Sequence, residues 1–403
     1  MKYGQNLYYY DVNSLYPFVM KKEMPFEPEF WLDGNEIDIN TFFGFALVKV
    51  HCPLNITVPF LPYRDPDSGK TIHPVGNWVS MYFSEEIKAA MEIGYTFEFL
   101  RGISFTKRSL FNEYIDHFYG IKKTHTGATR WIAKLHLNTL YGIFGRKLDN
   151  ITTILVERAN LAEILATNVV DNVYNINEDL CLVLLRSTQN PEFLANINSV
   201  LEEEDNLMFA SDVKSNVAIA AAITAYARTH MLKFKIAGEV LYTDTDSIIT
   251  TSPLDPSLIN NELGMMKDEL GGLLIKEAYI LGIKQYGYWY LDNENNRIER
   301  SVVAGIKRNS LPFDVITNLA YGGTYTTTIP NQFRKSMINF NLSIDSITKT
   351  IKIDPSKKLV GNIYLPPVIN NNNHVLYRDS FLKSVANQYN YIVNKVKSWF
   401  KLS

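Results

Sequence analysis

Leu241 to Ile248 reads Leu-Tyr-Thr-Asp-Thr-Asp-Ser-Ile, and this stretch restricts the local fold more than any other in the chain. Val240 to Thr251 carries the β-branched and aromatic residues of two short strands about a tight turn. Because side chains on a strand repeat with a period of two, Asp244 and Asp246 can project from the same side of that hairpin. Closely spaced carboxylates are costly unless a cation sits between them. Mg²⁺ suits such a site, since it takes oxygen ligands, keeps its waters and is completed by substrate phosphates. Alone, an Asp-x-Asp in a turn is a weak sign, because Asp is a common turn former.

Two further elements change that weighing. Leu7 to Tyr10 is a short aromatic strand running into Asp11, and Asn13 to Pro17 is a turn that can open a helix. The Val12 carbonyl and the amides of Leu15 and Tyr16 lie beside this carboxylate, and amides entering a helix form a phosphate cradle. One carboxylate here and one from the hairpin could hold two Mg²⁺ ions across a phosphoryl centre. On its own, Asp11 reads as an ordinary helix N-cap. The third element runs from Ile121 to Gly142. There Arg130, Lys134, Asn138 and Tyr141 fall within about an 80° arc of a helix turning ~100° per residue. A face with two cations, an amide and a ring is unsuited to a core and suited to a triphosphate, a sugar and a base.

The remaining segments supply organisation. Pro25 to Pro74 is mixed and rich in proline, and helical patterns dominate from about Ser84 to Arg146 with a break near Gly127. Residues 150 to 210 read as helical and apolar up to the acidic run Glu202 to Asp205. Ser211 to Lys235 is a helix with an alanine-rich face, and Gln285 to Leu291 and Arg297 to Ala304 form a hairpin. A break at Pro366 to Asn373 precedes a terminal amphipathic helix.

The net charge of -2 hides an uneven spread. Residues 101 to 147 carry nine Lys/Arg against Glu113 and Asp116, and residues 331 to 403 carry eleven against Asp345, Asp354 and Asp379. Each block alone is a solvated basic face; two of them on an acidic body also fit a protein that grips a polyanion. Cys52 and Cys181 form no CxxC pair, which excludes a disulfide framework or a Cys-based zinc site and points to a reducing compartment. The longest apolar run, Val217 to Tyr226, is about half of a membrane span, so no membrane partner is expected.

Together the three elements resemble family B DNA polymerases of the protein-primed branch found in bacteriophages and linear plasmids, including mitochondrial ones. Asp11-Val12-Asn13-Ser14-Leu15-Tyr16-Pro17 resembles motif A, DxxSLYP. Lys134 to Gly142 resembles motif B, KxxxNSxYG, with Thr139 where Ser is usual. Tyr242-Thr243-Asp244-Thr245-Asp246-Ser247 resembles motif C, YxDTDS, and Lys284-Gln285-Tyr286 resembles the KxY element. The resemblance implies an α+β fold: a right-hand polymerase core with an antiparallel palm sheet, helical fingers and a basic thumb. Palm would comprise residues 1–20 and 211–310, fingers 116–147, and thumb with the carboxyl-terminal segment 311–403. Residues 21–115 and 148–210 would occupy the slots of the first and second terminal-protein regions. The exonuclease domain that the family places ahead of motif A is not expected in this chain, which has ten residues before Asp11.

The resemblance also implies roles. Asp11 and Asp246 would bridge two Mg²⁺ ions, for which Mn²⁺ can substitute, with the Val12 carbonyl on the nucleotide-side ion and Asp244 in support. Lys134, helped by Lys122 and Arg130, would neutralise the incoming triphosphate. Leu15 would meet the nucleotide, Tyr16 would exclude a 2′-hydroxyl, and Asn138 and Tyr141 would pack at the nascent base pair. Ser14, Gly142, Tyr242, Thr245, Lys284 and Tyr286 would meet DNA, the last two at the primer end. Implied partners are primer-template DNA, dNTPs and a terminal priming protein, acting on a monomer. A mitochondrial location is expected, with phage or cytoplasmic plasmid as the alternative; the bias toward Asn, Ile, Lys, Tyr and Phe fits AT-rich coding. The rival function is a remnant that only binds DNA. A glycosyltransferase, which also uses Asp-x-Asp, explains Asp244 and Asp246 but not the cationic helix face, and a reverse transcriptase usually joins adjacent aspartates.

Overall fold

The computed structural model describes residues 2–146, 151–186, 215–236, 239–336, 341–353, 359–360, 363–364, 366–369 and 375–376. The chain divides into two compact units. One comprises Met1–Asn138, Ala221–Thr324 and Lys352–Ser403, and the other Thr139–Ala220 and Tyr325–Ile351.

The first unit holds a seven-stranded sheet of β1 (Lys2–Val12), β11 (Val240–Asp244), β12 (Ser247–Thr250), β13 (Met266–Asp268), β14 (Ile275–Gly282), β15 (Gln285–Leu291) and β16 (Arg297–Val303). The order is β11-β12-β1-β14-β15-β16, every pairing is antiparallel, and β13 also pairs with β1. Its core gathers Leu7, Ile249, Ile275, Ala278, Ile280, Tyr286 and Tyr288, the apolar and aromatic residues of alternating strands. Helix α7 (Phe313–Ala320) lies close against β15 because position 287 has no side chain. A Cβ there would meet the Ile316 side chain at 2.7 Å.

A six-stranded sheet in the same unit has the order β2-β7-β3-β6-β21-β22, from β2 (Met24–Asp33), β3 (Gly44–Cys52), β6 (Val75–Phe83), β7 (Thr96–Arg108), β21 (Val368–Ile369) and β22 (Val375–Leu376). Short ribbons are made by β4 (Tyr63–Arg64) with β5 (Thr71–Ile72), and by β19 (Leu359–Val360) with β20 (Ile363–Tyr364). The six-stranded sheet shares a core with α2 (Ser84–Glu92) and Leu232 of α6 (Val217–Lys235). Arg228 of α6 grips the buried carboxylate of Glu86 through two hydrogen bonds, which satisfies a charge that would otherwise be stranded. The helical reading of Ser84 to Arg146 holds for α2, α3 (Asn112–Thr124) and α4 (Gly127–Phe144) but fails at β7. That stretch alternates Phe97, Phe99 and later Ile103 and Phe105 among polar residues, and pairing with β2 and β3 decides it.

The second unit contains a three-stranded sheet, order β8-β10-β9, from β8 (Ile151–Glu157), β9 (Val170–Asn175) and β10 (Leu180–Arg186), with α5 (Leu161–Thr167). This overturns the helical reading of residues 150 to 210 as far as they are described. Ile-Thr-Thr-Ile-Leu-Val-Glu and Leu-Cys-Leu-Val-Leu-Leu-Arg are apolar runs of strand length, and period alone does not separate such runs from buried helix. The unit also carries the ribbon of β17 (Tyr325–Ser336) and β18 (Asn341–Ile351). The run Glu202 to Asp205 and the expected terminal helix lie outside the described residues. The fold is α+β, as expected, with antiparallel sheets except where β21 runs parallel to β6, and no described helix is long and apolar enough to cross a membrane.

Candidate active site

Asp11 lies near the end of β1, where that strand is flanked on both sides. It stands opposite Ser247 of β12 and opposite Lys267 of β13. The hairpin follows from local geometry. Asp244 pairs with Ser247, leaving the two-residue loop Thr245–Asp246, with Thr245 at φ 59°. A β-branched residue in the left-handed region costs on the order of 1–3 kcal/mol, so the surrounding pairing has to hold it there. The Val12 N–H donates to the Asp246 carbonyl at 2.8 Å and the Asp246 N–H donates to the Asp244 carbonyl at 2.8 Å. These bonds tie the hairpin tip to the strand that bears Asp11.

The electrostatics show why the tip matters. Burial first, then the neighbouring Asp246 and Glu269, push the Asp11 carboxyl up to about 7, against the pull of Lys267 and Lys134. Asp246 is raised by burial and by Asp244, and is opposed by its backbone hydrogen bond, Lys284 and Lys134. Two half-buried carboxylates that hinder each other's ionisation form an oxygen-only donor set, and a hard divalent cation fits it. Among the described residues no three His, Cys, Asp or Glu side chains come together as a ready ligand group. A cation held by Asp11 and Asp246 would take its further ligands from the backbone, a substrate and water.

Asp244 is turned elsewhere. Lys284 Nζ donates to both of its carboxylate oxygens, at 2.9 and 2.7 Å. Lys284 itself sits at φ 53° and its N–H donates to the Tyr242 hydroxyl at 3.0 Å. Burial pushes that hydroxyl up to about 12. The Tyr242 ring packs on Tyr286 with centroids 4.9 Å apart, and Tyr286 is 4% exposed. Tyr242, Asp244, Lys284 and Tyr286 are thus one linked group beside the Asp11–Asp246 pair. Thr245 is exposed at the hairpin tip.

Cations face the carboxylates from a helix pair. Lys134 of α4 acts on both Asp11 and Asp246. Lys122 of α3 donates to the Ser14 hydroxyl at 2.6 Å, so Ser14 is engaged by a lysine within the protein. Burial lowers the Lys122 ammonium, with Lys134, Arg130 and Lys267 pushing the same way and Asp11 opposing them. Arg130 Nη1 donates to the Lys122 carbonyl at 3.0 Å, and Asn138 is exposed on the same helix.

Ser14 takes the left-handed conformation, φ 57°, at the start of α1 (Leu15–Met20). The Leu15 side chain is buried, which leaves only its backbone for a ligand, whereas Tyr16 is half-buried. Tyr141 and Gly142 belong to the second unit, where Tyr141 is half-buried and Gly142 exposed.

Two residues that sequence reasoning missed belong here. Lys267 is the cross-strand neighbour of Asp11, and its Nζ pairs with Glu269 at 2.9 Å. Lys267 lies in a strand of three residues, β13, and Glu269 follows directly after it, too short a stretch for periodicity to register. The available signal was Lys267 and Glu269 two apart, which places them on one side of a strand. A tight turn sets β13: Gly264 takes φ +83° and a Cβ there would strike the Phe18 ring, while His230 Nε2 donates to its carbonyl at 2.9 Å.

An antiparallel sheet that presents paired carboxylates to a cationic helix is of the class of site able to hold a divalent cation together with phosphate groups. Comparison with known proteins makes the class specific. Residues 1–239 match the family described as DNA polymerase type B, organellar and viral, and the chain belongs to that family. It is 31% identical over 377 residues to a probable DNA polymerase of Podospora anserina, covering 88% of this chain and 31% of that protein. It is 36% identical over 328 residues to a probable DNA polymerase of Neurospora intermedia, covering 77% of this chain and 32% of that one. A DNA-directed DNA polymerase of Enterobacteria phage PRD1 is 28% identical over 294 residues, covering 70% of this chain and 46% of the relative. The chain thus spans about a third of the length of these fungal relatives. Among solved structures, phi29 DNA polymerase complexed with primer-template DNA and incoming nucleotide substrates matches with TM-score 0.61 and 18% identity. That match covers 88% of this chain and 59% of the other, and shows a shared fold. The resemblance drawn from the four motifs therefore holds.

Proposed function

We propose that this chain is the catalytic module of a DNA-directed DNA polymerase. It would transfer dNMP from a dNTP to a primer 3′-hydroxyl, or to the hydroxyl of a terminal priming protein, under the direction of a template. The observation that carries this reading is the pairing of Asp11 with Asp246, both raised by burial and both acted on by Lys134. Asp11, Asp246 and the Val12 carbonyl would hold two Mg²⁺ ions, with Asp244 kept in support by Lys284. When bound, the ions would activate the attacking hydroxyl and offset charge developing at the α-phosphate. Lys134, with Lys122 and Arg130, would neutralise the triphosphate and favour departure of pyrophosphate. Tyr16, half-buried rather than in the core, would lie against the sugar. Lys284 would exchange part of its hold on Asp244 for the primer end.

In this reading the seven-stranded sheet is palm and the α3–α4 pair is fingers. Residues 21–115 and 148–210 are the two terminal-protein regions, and 311–403 are thumb. It would work as a monomer on an organellar linear plasmid, a setting supported by the organellar and viral description of the family and by the bias toward residues of AT-rich codons. The test is incorporation of dNTPs by the purified chain on primer-template with Mg²⁺. Strand binding without incorporation would favour the remnant that only binds DNA.

A further inference from the structure

In the stretch of α4 that carries Lys134 the buried side chains are Ala133 and Leu137, four residues apart in one narrow apolar stripe. A slip of one residue would turn every side chain by ~100° and carry Lys134 away from the carboxylates. The Arg130 bond to the Lys122 carbonyl ties the first turn of this stretch to α3, and His136 is placed to hold the turns beyond it.

Two residues beyond Lys134, His136 projects roughly 200° away around the helix. Its ring lies flat on Phe118 of α3, with centroids 4.3 Å apart and planes 8° from parallel. Its Nδ1 is 3.0 Å from the Tyr114 hydroxyl, which also donates to the His136 carbonyl at 3.4 Å. Tyr114 and Phe118 are four residues apart on one face of α3, with rings 4.6 Å apart, and form a single platform.

That platform is firmly founded. Ile115 is buried, Asp116 pairs with Lys21 at 2.6 Å, the Tyr119 hydroxyl donates to the Asn261 carbonyl at 3.1 Å, and Lys123 pairs with Glu262 at 3.1 Å. With the Lys122–Ser14 bond, these contacts fix α3 to the part of the unit that carries Asp11. An imidazole suits the position because it combines a flat face for stacking with an edge nitrogen for the hydroxyl.

We propose that His136 is a positioning residue. By clasping Tyr114 and Phe118 it sets the rotation of α4 and so aims Lys134 at the Asp11–Asp246 pair. The inference rests on the polymerase reading of that pair for its kinetic consequence. If the clasp sets the fraction of chains with α4 in the competent rotation, weakening it lowers the apparent affinity for dNTP in proportion to that fraction. Chemistry in the correctly docked fraction is unchanged.

The experiment uses the full chain as wild type, His136→Ala and His136→Phe. Amide exchange over residues 127–138 is followed by mass spectrometry beside steady-state dNTP incorporation and a thermal melt. His136→Ala is expected to speed exchange in α4 while leaving β1 and α6 protected. It should also raise the KM for dNTP about tenfold with kcat within about threefold, the scale of one ring contact and one hydrogen bond. His136→Phe, which keeps the stack, should recover part of both effects. Unchanged α4 exchange in His136→Ala would overturn the proposal. So would a fall in melting temperature with KM and kcat both degraded and no rescue by Phe, the signature of a residue that merely stabilises. A wild-type chain that incorporates no nucleotide would remove the polymerase reading instead. The exchange data would then decide the clasp alone, faster α4 exchange supporting it and unchanged exchange refuting it.

Discussion

Replacing Asp11 by Asn should stabilise the metal-free protein at alkaline pH while destroying its response to Mg²⁺. The carboxyl titrates at about 7 where 3.8 is ordinary, which at full burial would correspond to roughly 4 kcal/mol of disfavoured ionisation. Asp11 is only half-buried, and solvent screening reduces this to about 1–2 kcal/mol, or roughly 1–2 °C in Tm for a chain of this size. The sign follows from proton uptake. Folded Asp11 keeps its proton to higher pH than the unfolded residue, so the folded state binds more protons between about pH 4 and 7 and stability falls as pH rises through that window. Thermal melts at pH 8 and pH 4, with and without Mg²⁺, provide the assay. Asp11→Asn should melt higher than wild type at pH 8 without metal, the gap should close at pH 4, and Mg²⁺ should raise only the wild type. A variant that melts lower than wild type at pH 8, or a gap that persists unchanged at pH 4, would refute the picture of repelling, half-buried carboxylates.

The remaining predictions are catalytic. Asp246→Asn should lower nucleotide incorporation by on the order of 10³-fold or more with primer-template binding retained, since several kcal/mol of charge stabilisation are lost. Asp244→Asn should cost far less because its carboxylate is held by Lys284, and equal losses would contradict that division. Lys134→Ala should raise the KM for dNTP roughly 10- to 100-fold, the range for a lost charge-assisted hydrogen bond, without changing DNA affinity by filter binding. Tyr16→Val should raise ribonucleotide use relative to deoxyribonucleotide use by orders of magnitude while dNTP activity survives. A fixed ratio with loss of both would mark Tyr16 as structural.

How far the sequence carried can be seen residue by residue. The hairpin Val240–Thr251 and the strand into Asp11 were legible because short alternating runs bounded by turn residues encode the strands; the strand period did not give the direction of the carboxylates, since Asp246 lies in the turn and Asp244 is drawn to Lys284. Lys134 was legible as part of a face because helical spacing fixes it. β7 and the sheet β8-β10-β9 were not. Their apolar runs are ambiguous in period, and pairing with strands distant in sequence settles them. Lys267 was invisible for a related reason, since a three-residue strand becomes part of the site only through its register with Asp11, and Glu269, just beyond that strand, joins the site only with it. The Lys284–Asp244 ion pair joins residues forty apart, |i−j| = 40, that no local pattern links. His136 reads from sequence as one more position inside a helix, and its partner Tyr114 lies on another helix.

The most direct measurement is template-directed incorporation of a single labelled dNTP into a primer by the purified chain with Mg²⁺, beside Asp11→Asn and Asp246→Asn under the same conditions. Incorporation by the wild type that obeys the templating base, requires the metal and is lost in both variants is the expected result. Incorporation that survives loss of either carboxylate, or primer-template binding with no incorporation by a wild type that melts cooperatively, would contradict the assignment of a polymerase centre to this pair.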